Sequence, residues 1–203
     1  MKIKGLIIAS NNAHKLQEIR QILGADFSEI YSLKQMNIAV DPDETGSTFY
    51  QNAKIKADAV FDCAPDGYAV LADDSGLCVD ALSGAPGVNS ARFAGVHGND
   101  GENIKKLLTL LDGVENRAAH FCCSIVIKLP NGEYLSAEGK TFGKILRQAE
   151  GESGFGYDPI FYSEDLNKSF GIASSEEKNA VSHRGRALCA ASEKYAAYKR
   201  SNI

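Results

Sequence analysis

Hydrophobic and polar positions follow two periods along this chain, and they predict strands alternating with helices. Residues 2–9 are an Ile/Leu-rich run that predicts a buried strand. Leu16, Ile19, Ile22 and Leu23 then recur at helical spacing, and Asn11 or Asn12 is placed to cap that helix. Residues 27–31 predict a second strand, and residues 38–47 a loop carrying Asp41, Asp43 and Glu44. Residues 48–63 predict a helix with Phe49, Ala53, Val60 and Phe61 on roughly one side. Asn52 and Lys56 are four apart and share a face. The apolar run 68–72 predicts a buried strand that stops at Asp73-Asp74-Ser75-Gly76. Residues 84–93 are too interrupted by Gly and Pro for a regular element. Ile104, Leu107, Leu108 and Leu111 mark an amphipathic helix capped by Asp100. Residues 119–129 alternate, with Phe121, Cys123, Ile125, Ile127 and Leu129 on one face and His120, Ser124 and Lys128 on the other. Pro130-Asn131-Gly132 turns this strand into another at 133–142, a hairpin. A last helix, capped by Ser182, runs to about residue 199 with Leu188, Ala191, Tyr195 and Tyr198.

Composition narrows the function classes. With 203 residues, 44% hydrophobic and 24% charged, the chain can bury a sizeable core, and one domain over 1–203 is expected. A net charge of -4 provides no basic field to recruit nucleic acid, so any anion must be held by local cations. No apolar run reaches membrane-spanning length. Met1-Lys2-Ile3-Lys4 leads into a strand without a signal-peptide profile, and five cysteines without paired spacing read as reduced thiols. A cytoplasmic protein is expected. Three motif matches fail on inspection. Asp41-x-Asp43-x-Thr45-Gly46 lacks the bidentate Glu of a calcium loop, Asn52 standing in its place. Gly139-Lys140-Thr141 lacks the first P-loop glycine, where Tyr134 stands. Asn167-Lys168-Ser169 is a chance glycosylation match without secretion.

Adjacent carboxylates at the end of a core strand demand a reason, because burying unpaired charge costs several kcal/mol or more. Asp73 and Asp74 fit either a hard cation such as Mg²⁺ or Ca²⁺, or a solvated turn. Lys15 falls in a first helical turn, where the dipole disfavours a cation unless an anion is shared between it and the free backbone N–H groups. His183 and Arg184 repeat that placement. Residues 151–159 interleave three glycines with Phe155, Tyr157 and Asp158, a loop suited to a flat ligand such as a nucleobase. Glu44, Asp73 and Asp74 facing Lys15, Lys56, Lys178 and Arg184 describe a nucleotide polyphosphate site. These residues do not choose the bond broken, the base, or hydrolysis over binding.

Seven pieces in order identify a resemblance that spans nearly the whole chain. They are Ser10-x-Asn12-x-x-Lys15, Glu44-Thr45-Gly46, Phe49-x-x-Asn52-Ala53-x-x-Lys56-Ala57, Ala72-Asp73-Asp74-Ser75-Gly76-Leu77, Gly84-x-Pro86-Gly87-Val88-x-Ser90-Ala91-Arg92, Gly154-Phe155-Gly156-Tyr157-Asp158-Pro159 and Ser182-His183-Arg184-Gly185. The chain resembles the inosine-triphosphate pyrophosphatase family of non-canonical purine nucleoside triphosphate pyrophosphatases. The resemblance implies an α/β fold, a long curved mixed central sheet flanked by helices, with two lobes and a nucleotide cleft between them. It implies Mg²⁺-dependent hydrolysis of ITP, dITP and XTP to the monophosphate and pyrophosphate, which cleanses the nucleotide pool, and a homodimer. In this resemblance Asp74 is general base and metal ligand, and Glu44 is the second ligand. Ser10, Asn11, Asn12, Ala13, His14, Lys15, Lys56 and Ser75 hold phosphates. Phe155, Gly156, Tyr157, Asp158, Lys178, His183 and Arg184 hold the base and the rest of the nucleotide. Asn11 and His14 stand where the family commonly has glycine, and His14 is placed to contact phosphate or the partner lobe.

Two other classes compete with this expectation. A nucleotide-binding sensor would keep the pocket without turnover, but it has no need of Asp74. A nucleic-acid-binding protein would need the basic stripe that the chain lacks. Within the enzyme class, a pyrophosphatase acting on pyrimidine nucleotides is the alternative.

Overall fold

The structure, a computed structural model, describes residues 3–201. Residue 2, where the first strand is expected to begin, lies outside them. In chain order the elements are β1 (Gly5–Ile8), α1 (Ala13–Leu23), β2 (Ile30–Ser32), α2 (Phe49–Phe61), β3 (Tyr68–Val79) and α3 (Asp100–Leu110). There follow β4 (Ala118–Lys128), β5 (Tyr134–Ile145), β6 (Phe161–Ser163), β7 (Lys168–Ser169), α4 (Ser175–Val181) and α5 (His183–Ser201). The strands hydrogen-bond in the order β2-β1-β3-β4-β5-β6-β7, a mixed seven-stranded sheet. β1 runs parallel to β2 and β3, with Leu6 opposite Ile30 and Ala69. β5, β6 and β7 pair antiparallel.

The chain divides into two compact units, interleaved in sequence. Unit 1 comprises Met1–Asp74, Cys123–Gly139 and Gly185–Ile203. Its central strands are buried on both faces, which is why they read as continuous apolar runs. Leu6, Ile8 and Leu71 face Ile19 and Leu23 of α1 and Leu188 and Ala191 of α5. The alternate residues Ile7, Val70, Ala72 and Val126 face Ala53, Ala57 and Val60 of α2. Each Leu, Ile or Val among these contributes roughly 1.5–3 kcal/mol by leaving water. Unit 2 comprises Ser75–Cys122 and Lys140–Arg184, and its core gathers Leu77, Phe121, Tyr157, Phe161 and Phe170 around Leu107 of α3.

Several sequence expectations need correction. β3 does not stop at the acids but continues to Val79, so Asp73 and Asp74 lie inside a strand. The second strand sits at Ile30–Ser32, not 27–31, because Phe27 packs inward against Tyr195. Asn99, not Asp100, caps α3, its side chain accepting from the Glu102 N–H. On α2 the buried side is Asn52, Ala53, Ala57 and Val60, while Phe49 and Phe61 are only half-buried. Residues 84–93 include a 3₁₀ stretch, Gly87–Arg92. α4, β6 and β7 have no counterpart in the sequence reading, being two to seven residues long.

In unit 1, one carboxylate ties α2 to the β4–β5 hairpin. Asp58 accepts from Lys54 at 2.6 Å, from Lys128 at 2.7 Å and from the Tyr134 hydroxyl. Partial burial pushes the Asp58 carboxyl up, but the three donors outweigh it and hold it at about 2. A carboxyl depressed on folding stabilises the protein above its unfolded pKa of about 4. That contribution fades as pH falls from about 4 towards 2. Asp58→Asn is therefore expected to melt below wild type at neutral pH, the gap closing between about pH 4 and 2 in a thermal-denaturation series. A gap independent of pH would show that the Asp58 charge is not responsible.

Candidate active site

Continuing β3 through the acids gives each carboxylate its own face, since successive strand side chains point to opposite sides. Asp73 and Asp74 are 2% and 7% exposed. On one face Asp73 pairs with Lys15 at 2.8 Å. On the other, Asp74 accepts from Lys56 at 3.1 Å and from the Asn52 side chain at 3.3 Å. Lys56 also lies 3.4 Å from Glu44, so two carboxylates from distant segments converge on one ammonium.

The sequence builds this arrangement locally. Thr48 caps α2 by accepting from the Gln51 N–H, which starts the helix at Phe49. Asn52 and Lys56 then project from one face, a turn apart. Asn52 is fully buried, and its carbonyl accepts from the Gly46 N–H at 2.8 Å. It joins the Glu44-Thr45-Gly46 segment to Asp74. A Cβ on Gly46 would lie 2.6 Å from the Asn52 oxygen, so the approach requires glycine. The sequence reading placed Asn52 beside Lys56 but not among the site residues; the paired i, i+4 polar positions on an apolar helix were the available signal.

The charges are unequal: Lys15 and Lys56 face Asp73, Asp74 and Glu44. Burial, with Glu44 adding, holds the Asp74 carboxyl above its usual range against the pull of Lys56 and Lys15. Burial pulls the Lys56 ammonium down, but Asp74, Asp73 and Glu44 outweigh it and leave it raised. No group of three His, Cys, Asp or Glu side chains gathers for a metal among the described residues. Two convergent carboxylates nevertheless fit Mg²⁺, which is commonly bound by one or two carboxylates plus waters and substrate phosphates.

At the α1 entrance Asn12 is the cap, one of the two positions the sequence offers. The Asn12 side chain accepts from the N–H groups of His14 and Lys15 at 3.0 and 3.2 Å, so those donors are taken by the cap. Ser10 in turn accepts from the Asn12 N–H. Asn11, Asn12, Ala13 and His14 are exposed.

Unit 2 carries the second cluster. Lys178 on α4 pairs with Asp158 at 2.6 Å, both nearly fully buried. Its ammonium lies 4.6 Å from the centre of the Phe155 ring, and the Arg184 guanidinium 5.6 Å from it. Arg184, in the first turn of α5 and 1% exposed, donates to the Ser75 hydroxyl at 2.9 Å. The His183 ring stacks on Phe121, centroids 4.7 Å apart. Tyr157 is buried and donates its hydroxyl to the Ser90 carbonyl at 3.0 Å. Burial, with the Asp100 charge adding, raises its phenol, so it remains a donor. Two buried cations thus stand beside one aromatic ring, Lys178 held by Asp158 and Arg184 donating to Ser75.

Comparison with known proteins identifies the family of the chain. The Ham1 family model matches residues 6–194. A dITP/XTP pyrophosphatase of Clostridium perfringens is 48% identical, over 92% of this chain and 94% of that protein. One of Treponema denticola is 44% identical, over 90% and 94%. The solved Staphylococcus aureus Ham1 protein superposes with a TM-score of 0.83 at 38% identity, covering 98% of this chain and 99% of its own. With the family model spanning nearly all of the sequence, the chain belongs to the Ham1 family.

Proposed function

We propose that this chain is a nucleoside-triphosphate pyrophosphatase that hydrolyses ITP, dITP and XTP to the monophosphate and pyrophosphate. We place it in the cytoplasm, as a Mg²⁺-dependent homodimer that cleanses the nucleotide pool. The observation that carries the reading is the convergence of Glu44 and Asp74 on Lys56. The relatives named dITP/XTP pyrophosphatase supply the substrate class.

Glu44 and Asp74 would hold the cation. When bound, it would polarise the polyphosphate and neutralise part of its charge. Asp74 accepts the proton of the water that attacks the α phosphorus, and burial, which holds its carboxyl above the usual aspartate range, makes it a better base than an exposed aspartate. Asn52 fixes that carboxylate through Oδ2. Lys56 and Lys15 stabilise charge on the phosphates. Lys15 has three N–H donors, so pairing with Asp73 leaves capacity for phosphate. Ser10, Asn11, Asn12, Ala13, His14 and Ser75 complete the phosphate-binding set, His14 contributing a side chain where glycine is common.

Base selection follows from donors. Lys178 and Arg184 can only donate, so they favour the 6-keto acceptor of hypoxanthine and xanthine. Adenine offers a 6-amino donor there, and guanine a 2-amino donor that hypoxanthine and xanthine lack. A buried donor left facing a donor discriminates strongly.

Pyrophosphate release is expected to be fast with ITP, XTP and dITP, slow with ATP and GTP, and abolished by EDTA. Equal rates with all five nucleotides would refute the base selection, and release in EDTA would refute the metal requirement. Asp74→Asn is expected to lower kcat by roughly 10³-fold or more. Its melting temperature should stay near wild type, because an amide removes a buried charge without removing volume. Near-wild-type turnover in Asp74→Asn would remove Asp74 from the proton-transfer role.

A further inference from the structure

The loop that carries Phe155 is held from outside itself. Three of its groups have fixed partners: the Phe155 N–H on Asp158 at 2.8 Å, the Tyr157 hydroxyl on Ser90, and the Gly156 N–H on Asp100 at 2.7 Å. The first is local, three residues away. The third reaches 56 residues back along the chain, to the first residue of α3. Gly156 has φ +62, a left-handed backbone that disfavours other residues. Asp100 meets the N–H of this turn with a carboxylate.

Asp100 does not serve as the cap of its own helix. Asn99 performs that task with its side chain. Glu102 is the other acid of the first turn, and its ion-pair partner is Lys105, at 3.8 Å, not a loop group. The helix could keep its cap and one acid without Asp100. The loop would lose the anchor of its turn at Gly156, whose N–H donates to Asp100 among the described residues.

We infer that Asp100 is a positioning residue for base recognition, fixing the backbone turn at Gly156 so that Phe155 stands beside Lys178 and Arg184. This rests on the reading of Phe155, Lys178 and Arg184 as the base-binding wall. A charge-assisted hydrogen bond to a backbone N–H is stronger than a neutral one and restricts the turn to one geometry. Gly156 is only half-buried, so water replaces Asp100 when it is removed. The consequence is a looser turn, with little change in the stability of the fold.

The test combines kinetics with amide exchange in the full-length protein. Asp100→Ala is expected to raise KM for dITP roughly tenfold with kcat within about twofold, and to narrow the dITP/ATP preference. NMR exchange at the Gly156 amide should accelerate by a similar factor. Asp100→Asn keeps an oxygen acceptor and should hold KM and exchange close to their wild-type values. Glu102→Ala removes the neighbouring helix acid and should move neither. Unchanged KM and exchange in Asp100→Ala would overturn the inference. So would an equal effect from Glu102→Ala, which would trace the change to the helix dipole. A wild-type protein that turns over no dITP would overturn the substrate reading instead. The exchange data would then decide the contact by themselves: acceleration upholds it, and no change refutes it.

Discussion

The interaction on which the structure depends is the neutralisation of two carboxylates inside β3. A strand interior is a poor place for charge, and each uncompensated ion there would cost several kcal/mol. Lys15 answers Asp73 on one face, and Lys56 answers Asp74 on the other. The alternation of a β-strand is what lets adjacent acids take separate partners instead of repelling each other at one point. The compensation is incomplete on the Asp74 face, where Glu44 adds a second negative charge to a single ammonium. Surplus negative charge, buried and prearranged, is the condition under which a divalent cation gains most.

Helix α2 turns this local balance into a site. Its apolar stripe packs on β1 and β3, which fixes the rotation of the helix. That rotation aims Asn52 and Lys56 at Asp74, and Asn52 carries the Glu44 segment with it through Gly46. In unit 2 the order is reversed. There a flexible-looking glycine loop is made definite by side chains from elsewhere: Asp158 with Lys178, Ser90 with Tyr157, and Asp100 with Gly156.

Much of this was legible in the sequence where local periodicity decides the outcome. The hairpin of β4 and β5 followed from strict alternation and a Pro-Asn-Gly turn, and α1 from its apolar spacing and Asn12 cap. The mixed α/β sheet followed from the family resemblance. Local pattern failed where a distant partner overrides it. Asp73 and Asp74 read as the end of a strand because polar residues usually mark one; Lys15, Lys56 and Asn52, from other segments of the chain, make their burial tolerable. Asp100 read as a cap because nothing nearby revealed its true partner, 56 residues away. Strands of two or three residues such as β6 and β7 carry too few positions to show any period.

The central claim is that the Asp74 cluster delivers water to the α phosphorus. Turnover of dITP in ¹⁸O-labelled water, with Mg²⁺ and the products resolved by mass spectrometry, tests it most directly. Label confined to the nucleoside monophosphate, with unlabelled pyrophosphate, is the predicted result. Label in the pyrophosphate would place the attack on the β phosphorus and contradict the account.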